Sequence, residues 1–346
     1  MSILKRKKIE EGENRGNSKE SKSIEDSSEK RTRKKKKSDI VPWTKKERLF
    51  VFWVLIITVF VSSILAISAR SWKLPNFPRI KLPSFSGETI IIEGSKEGQK
   101  KANEAISLFN NKVKPLSGVY GFYVYRLGDK SSYGVNENEI FEAASLIKLP
   151  VMITMYQKDE SGELDLDTTY KLLNSDKITG SGSLYYKKEG TILTYRELIE
   201  LMGKQSDNTA FNVAKNIVGG EEIVRTIEDI GMSKTSFEEN ETTPADIGLL
   251  FSRLWELELI NEKDRDELLS YLTDTIYENW LAAGLPGVRV AHKYGREVHV
   301  VNDAGIVFSD EPFVLVILSK GVVEREADEI FPDLSRIIYQ VESSSY

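Results

Sequence analysis

The chain has 346 residues, with 48 Lys+Arg against 53 Asp+Glu, a formal net charge of −5, two His and no Cys. Lack of cysteine excludes disulfides, iron–sulfur clusters, cysteine-ligated zinc and a cysteine nucleophile, and two histidines argue against a His-rich metal centre. The net charge averages two unlike parts: residues 1–48 hold 17 basic and 9 acidic residues, and the remainder holds 31 and 44.

Residues 1–48 are polar, rich in Ser, Lys and Glu, and almost free of aromatics. Such a segment buries too little apolar surface to offset its chain entropy, and disorder is expected. From Leu49 to Ala69 follow 21 residues without a charge, LFVFWVLIITVFVSSILAISA. As a helix rising about 1.5 Å per residue, they match a hydrocarbon layer roughly 30 Å thick. Lys45, Lys46 and Arg48 stand at one mouth of this run, and Trp43 and Trp53 suit the interface. A cleaved signal peptide has a shorter apolar region, roughly 7–15 residues, and no long tail before it. An uncleaved signal anchor contacting the lipid bilayer through residues 49–69 is therefore expected. The basic excess then places residues 1–48 in the cytoplasm and the C-terminal part outside the membrane. On that reading Lys34–Lys37 is a topology signal and an anionic-lipid contact, not a nucleic-acid patch. Residues 70–94, with Pro75, Pro78 and Pro83, read as a partly extended stalk.

A folded domain is expected over residues 95–346. Glu97–Asn111 has a helical pattern, Gly118–Leu127 is aromatic and β-branched like a strand, and Asp129–Asn138 reads as a turn and second strand. Leu146–Gln157, Tyr195–Met202, Asn208–Val218, Glu221–Ile230, Pro244–Trp255 and Glu262–Leu272 predict helices. Val288–Tyr294, Val298–Phe308 and Phe313–Ser319 predict three consecutive strands, and Ala327–Val341 a closing amphipathic helix. Two strands, a helical block, three strands and a helix indicate an α+β fold: one antiparallel five-stranded sheet flanked by helices.

Without cysteine, and with little histidine, a serine activated by lysine is the natural nucleophile to seek. Ser-x-x-Lys sets an amine one turn from a hydroxyl, where its neutral form can accept the hydroxyl proton. The pattern occurs at Ser2/Lys5, Ser27/Lys30 and Ser145/Lys148, and only the last lies in the expected folded domain. Ser145 could instead be a simple helix N-cap, but a capping box would put Glu or Gln three residues on. Lys148 puts a cation there instead, where the helix dipole disfavours it. The same placement, with burial, lowers a lysine pKa and favours a base. Ser206-Asp207-Asn208 precedes a helix and by itself reads as a cap. Lys293-Tyr294-Gly295 ends a strand and by itself reads as an edge lysine and a turn glycine.

Together and in this order the three motifs resemble those of the penicillin-recognising serine hydrolases, specifically the class A β-lactamases: Ser-x-x-Lys, Ser-Asp-Asn and Lys-Thr/Ser-Gly. The resemblance spans residues 95–341 and includes LTYRELIELMGKQSDNTAFN at 193–212, TTPADIGLLFSRLW at 242–255 and VNDAGIVF at 301–308. It implies Ser145 as acylated nucleophile, Lys148 as its proton acceptor and Ser206 as proton relay to the leaving group. It also implies Asn208 as a ligand of the substrate amide and Lys293 as the partner of a substrate carboxylate. The backbone N–H groups of Ser145 and Arg296 would form the oxyanion hole, beside Gly295; no metal or cofactor is implied.

Two departures stand out. Tyr294 replaces the small hydroxyl residue of the third motif and cannot place its O–H where threonine would, with Arg296 next along the strand to compensate. The Glu-x-x-Leu-Asn motif that supplies the deacylating base in the family is missing, because Gly231–Glu241 runs almost directly into Thr242-Thr243-Pro244. Glu238, Glu239 and Glu241 are the nearby carboxylates, on what reads as a short solvated loop. The expectation is acylation of Ser145 by β-lactams or related amides, followed by slow deacylation. A D,D-peptidase or esterase on peptidoglycan-like or ester substrates is the alternative. A non-hydrolytic sensor is a third reading, disfavoured by a cytoplasmic tail with no recognisable output domain.

Overall fold

The computed structural model describes residues 44–69 and 95–344, with the side chains of residues 47 and 63–69 outside the description. The expected tail over most of 1–48 and the stalk at 70–94 lie outside the described residues. The chain divides into two units, residues 1–80 and 81–346.

In the first unit, α1 (Lys45–Ala69) is a 25-residue helix whose apolar side chains from Leu49 to Val61 are largely exposed. Among the described residues no helix is long and apolar enough to cross a membrane. The apolar run at 49–69 continues into residues whose side chains lie outside the description.

The second unit begins with α2 (Lys96–Val113), capped by Ser95, whose Oγ accepts from the Gly98 N–H. A hairpin of β1 (Val119–Arg126) and β2 (Ser132–Val135) follows, then the short β3 (Phe141–Glu142), a 3-10 turn over Ala144–Ile147 and α3 (Lys148–Glu160). β4 (Thr169–Lys171) pairs with β5 (Ile192–Thr194), and α4 (Tyr195–Gln205), α5 (Asn208–Val218) and α6 (Gly220–Ile230) complete the middle of the helical block. β6 (Glu241–Thr242) pairs with β3, and α7 (Pro244–Trp255) and α8 (Glu262–Tyr271) lead to β7 (Arg289–Glu297), β8 (Val300–Phe308), β9 (Phe313–Lys320) and the closing α9 (Glu324–Glu342).

The main sheet runs β2-β1-β9-β8-β7, antiparallel at every pairing, so the first hairpin and the last three strands share it as expected. Both faces are covered, and the pleat sorts the side chains. On β9, Val314, Val316 and Leu318 enter the core beneath the helical block. Phe313, Leu315 and Ile317 enter the core beneath α2 and α9. Helix α3 is buried from Lys148 through Tyr156 on all sides, as a helix apolar all round must be, and it runs through the middle of the helical block.

Helices α5 and α7 have the expected bounds, and the other ends shift by a few residues. The larger correction concerns β7, which continues to Glu297 where a turn was read at Gly295. The turn falls later, at Val298 and His299, with His299 at a φ of 61°. The pairs β3/β6 and β4/β5 are two and three residues long, too short to show a period in sequence.

Candidate active site

The first motif sits where a 3-10 turn hands over to a helix. Ser145 lies within Ala144–Ile147, and Lys148 is the first residue of α3. Side chains three apart eclipse in 3-10 geometry, so this turn, rather than an α-helical one, sets Ser145 and Lys148 on the same side. Ser145 is not an N-cap: no side-chain bond caps either element. Ala144, just before it, has a φ of 49°, a left-handed conformation that a residue with a Cβ adopts at a cost of about 1–3 kcal/mol. The segment is held down regardless: the Ala143 N–H donates to Asn240 O at 2.7 Å, and Asn302 Nδ2 donates to Glu142 O at 2.7 Å.

The second motif joins two helices. Ser206 ends α4 in a left-handed conformation with a φ of 53°, and Asp207 caps α5 by accepting from the Ala210 N–H at 2.9 Å. The capping role therefore belongs to Asp207, leaving Ser206 and Asn208 to face the lysines. Asp207 is fully buried, and its other oxygen accepts from the Leu184 N–H at 2.7 Å. A Cβ at Gly182 would stand 2.1 Å from that oxygen, at a φ of 97°, so only glycine fits there. The loop beside it is further fastened by Asn208 Nδ2, which donates to Thr179 O, and by the Asn208 N–H, which donates to Ser181 O.

The third motif lies on β7, the free edge of the sheet. Ala291, Lys293 and Gly295 share the face toward the helical block. Lys293 is 1% exposed, and its Nζ donates to Ser206 Oγ at 2.8 Å and to Tyr294 O at 2.9 Å. A Cβ at Gly295 would lie 3.0 Å from Ser145 N and 3.1 Å from Ala143 O, so the glycine lets the edge strand close on the nucleophile turn. The His292 N–H leaves the sheet edge to reach Leu272 O at 2.7 Å. By strand alternation the N–H groups of Tyr294 and Arg296 point off the same open edge. That is the direction an oxyanion donor at Arg296 requires.

Lys148 joins the motifs. Its Nζ donates to Ser206 O, to Asn208 Oδ1 at 2.7 Å and to Ser206 Oγ at 3.3 Å, and none of these bonds goes to Ser145. Burial lowers its pKa to about 7, against a smaller opposing pull from Asp207 and Glu297. Burial, and then the charge of Lys148, hold Lys293 well below the ordinary lysine range. Two lysine amines, both pushed toward the neutral form, thus flank one hydroxyl in a dry site. Near neutral pH, part of the population has Lys148 uncharged, with a lone pair for a hydroxyl proton. Of the three acceptors around it, only Ser206 Oγ–H can reverse its bond and donate. A proton path between Lys148 and the Ser206 side follows from that asymmetry.

Tyr294 takes a place the sequence did not foresee. Its ring lies at the sheet edge, 3.8 Å from the Tyr277 ring centroid and 5.3 Å from that of Trp280. Its hydroxyl is 3.4 Å from Ser181 Oγ. The Arg296 guanidinium, expected to face substrate, instead pairs with Asp328 at 2.7 and 3.1 Å and with Glu324 at 3.3 Å, all on α9. What remains of Arg296 for the site is its backbone. Glu238 and Glu239 are exposed on the short loop, and Glu241 is half-buried in β6, paired in register with Glu142. The loop reaches the nucleophile segment through Asn240 O.

Sequence reasoning missed three supporting residues. Asn302 is fully buried in β8 and ties Glu142 O to the Ser319 N–H, which donates to its Oδ1 at 2.9 Å. The signal was present, because an Asn-Asp pair interrupts an otherwise apolar buried strand. His292 is buried between Asp303, at 2.7 Å, and Glu278, at 3.2 Å. Burial opposes its charge, but Asp303 and then Glu278 outweigh that and raise its pKa to about 9. Glu278 lies on the loop that carries Tyr277 and Trp280, so His292 fastens that aromatic loop to the sheet edge. Ser181 carries no local sequence signal. Among the described residues no His/Cys/Asp/Glu cluster could hold a metal ion.

The family model of the beta-lactamase enzyme family matches residues 102–341. Beta-lactamase VEB-1 of Pseudomonas aeruginosa is 20% identical over 260 residues, 66% of this chain and 87% of that protein. The beta-lactamase structure from Sphaerobacter thermophilus DSM 20745 superposes with a TM-score of 0.66 at 24% identity, covering 70% of this chain and 97% of that one. PBP-A superposes with a TM-score of 0.65 at 26% identity over 69% and 96% of the chains, and a mutant of it was solved as an acyl-enzyme complex with penicillin G. The chain belongs to the beta-lactamase enzyme family, as a beta-lactamase-like serine hydrolase.

Proposed function

We propose that the protein is a membrane-anchored acyl-transfer hydrolase in which β-lactams or related amides acylate Ser145 faster than water releases them. The observation that carries the reading is the buried Lys148 amine, with a pKa of about 7, set among Ser206, Asn208 and the Ser145 turn. Ser145 Oγ forms the bond to the acyl carbon, and its proton passes to neutral Lys148. The C–N bond then breaks, with Ser206 relaying a proton to the leaving nitrogen. The N–H groups of Ser145 and Arg296 are the oxyanion donors, each of a kind whose removal costs roughly 3–4 kcal/mol of transition-state stabilisation. PBP-A, whose mutant holds a penicillin G acyl group, lends the acylation step support by likeness.

Deacylation lacks comparable apparatus. Glu238 and Glu239 are exposed, and a carboxylate in water keeps neither the burial nor the fixed water that makes an effective base. A chromogenic cephalosporin should give a burst close to one equivalent per chain, followed by turnover far slower than the burst. Rapid, sustained turnover without a burst would refute slow deacylation.

The anchoring part of the proposal rests on α1. Its exposed apolar side chains, Leu49 to Val61, follow Lys45, Lys46 and Arg48, so residues 1–48 face the cytoplasm and the hydrolase unit lies outside. The full-length chain should stay with membranes through alkaline carbonate washing, and protease added to intact cells should digest the C-terminal unit. Release by carbonate, or full protection of that unit, would overturn the topology.

A further inference from the structure

We infer that this site selects acyl donors with no anionic group on the leaving-group side, and that Tyr294 sets this selectivity; the inference rests on the serine-hydrolase reading above. The resemblance assigns Lys293 to a substrate carboxylate, with Arg296 as the neighbouring cation. In this chain both are already engaged. Lys293 Nζ donates to Ser206 Oγ and Tyr294 O, and it lies 4.5 Å from the centroid of the Tyr294 ring. The ring therefore covers the side of the amine where the resemblance would seat a carboxylate. Arg296 turns its guanidinium to Asp328 and Glu324 on α9.

The ring is not free to swing aside. Tyr277 and Trp280 pack against it, Trp280 Nε1 is fixed to Asp328 at 3.0 Å, and Tyr294 keeps only 5% exposure. Its hydroxyl reaches Ser181 on the loop fastened to Asn208, spanning the cleft from the sheet edge to the helical block. An incoming carboxylate would meet an aromatic face and lose its hydration without gaining a cation. A neutral ester or amide loses nothing comparable. The covalent step is unchanged. The Ser145 Oγ–acyl bond forms, the acyl C–O or C–N bond breaks, and the serine proton travels by Lys148 and Ser206 to the leaving group.

Benzylpenicillin and its methyl ester differ only in that carboxylate. With the full-length chain in detergent, the rate of adduct formation on Ser145, followed by intact mass, should be at least ~10-fold higher for the methyl ester. In Tyr294→Thr the advantage of the ester should fall by a similar factor, with benzylpenicillin gaining most. Equal or faster acylation of the wild type by benzylpenicillin overturns the proposal, even if the variant fails to fold. An unchanged ratio in a folded Tyr294→Thr also overturns it. A fluorophosphonate probe separates the two levels. If it labels Ser145 but the methyl ester does not react, the selectivity inference fails and the hydrolase reading stands. If it leaves Ser145 unlabelled, the hydrolase reading itself fails.

Discussion

Ser145→Ala is expected to abolish covalent labelling altogether, by β-lactams, neutral esters and fluorophosphonate alike. Alanine has no nucleophilic atom, and among the described residues no other serine combines the same surroundings: a lysine three residues on, an edge strand closed on its N–H, and a left-handed residue before it. Loss of labelling should come without loss of fold. Ser145 is half-buried and caps neither the 3-10 turn nor α3, so the change removes one hydroxyl from an element held by other contacts. Those contacts, Ala143 N–H to Asn240 O and Asn302 to Glu142 O, do not involve the serine side chain. The thermal midpoint should therefore stay within a few degrees, and intact mass after long exposure should show the unmodified chain. A residual stoichiometric adduct on the variant would place the nucleophile elsewhere.

Lys148→Ala should slow acylation by about 10²- to 10⁴-fold, the usual worth of a positioned base. It should also erase a specific pH dependence. The folded-state pKa of Lys148 is about 7, depressed by burial, so its neutral, proton-accepting form grows as pH rises through that value. The wild-type acylation rate should accordingly climb between roughly pH 6 and 8 and then level off, where the amine is fully neutral. The sign for stability is the same, in a higher window: the unfolded chain binds the Lys148 proton more tightly, so this group's contribution falls as pH drops from 10.5 to about 7 and is level below that. Stopped-flow acylation from roughly pH 6 to 8 tests the rate profile, and denaturant unfolding above pH 7 tests the stability. A flat profile in the wild type, or an alanine variant that keeps the rise, would remove Lys148 as the base.

Much of the architecture was legible because it depends on local period and residue type. The aromatic and β-branched run at β1, the three late strands and the amphipathic helices α5 and α7 each announce themselves over about ten residues. The three motifs were legible for a different reason. The first breaks a local rule, because Lys148 places a cation at a helix start, and such a break marks a site where chemistry overrides folding preference; the other two read locally as a cap and a turn and stand out only by their order after the first. Gly295 was misread because a glycine at a strand end and a glycine under a nucleophile look alike in sequence. Only the packed turn at Ala143–Ser145 tells them apart.

The sequence by itself determined the α+β class and the absence of cysteine chemistry, and by its motifs and their order it pointed to a serine–lysine pair. These follow from which residues are present and how they are spaced along one chain. Tertiary structure alone decided that Lys148 and Lys293 share Ser206, that the Arg296 guanidinium pairs with α9 and that Tyr294 covers the buried Lys293 amine. The partners in these contacts come from segments up to 145 positions apart, as Lys148 and Lys293 are. A charge or a ring acquires its meaning from what is packed within a few ångströms, and no local pattern encodes that neighbourhood.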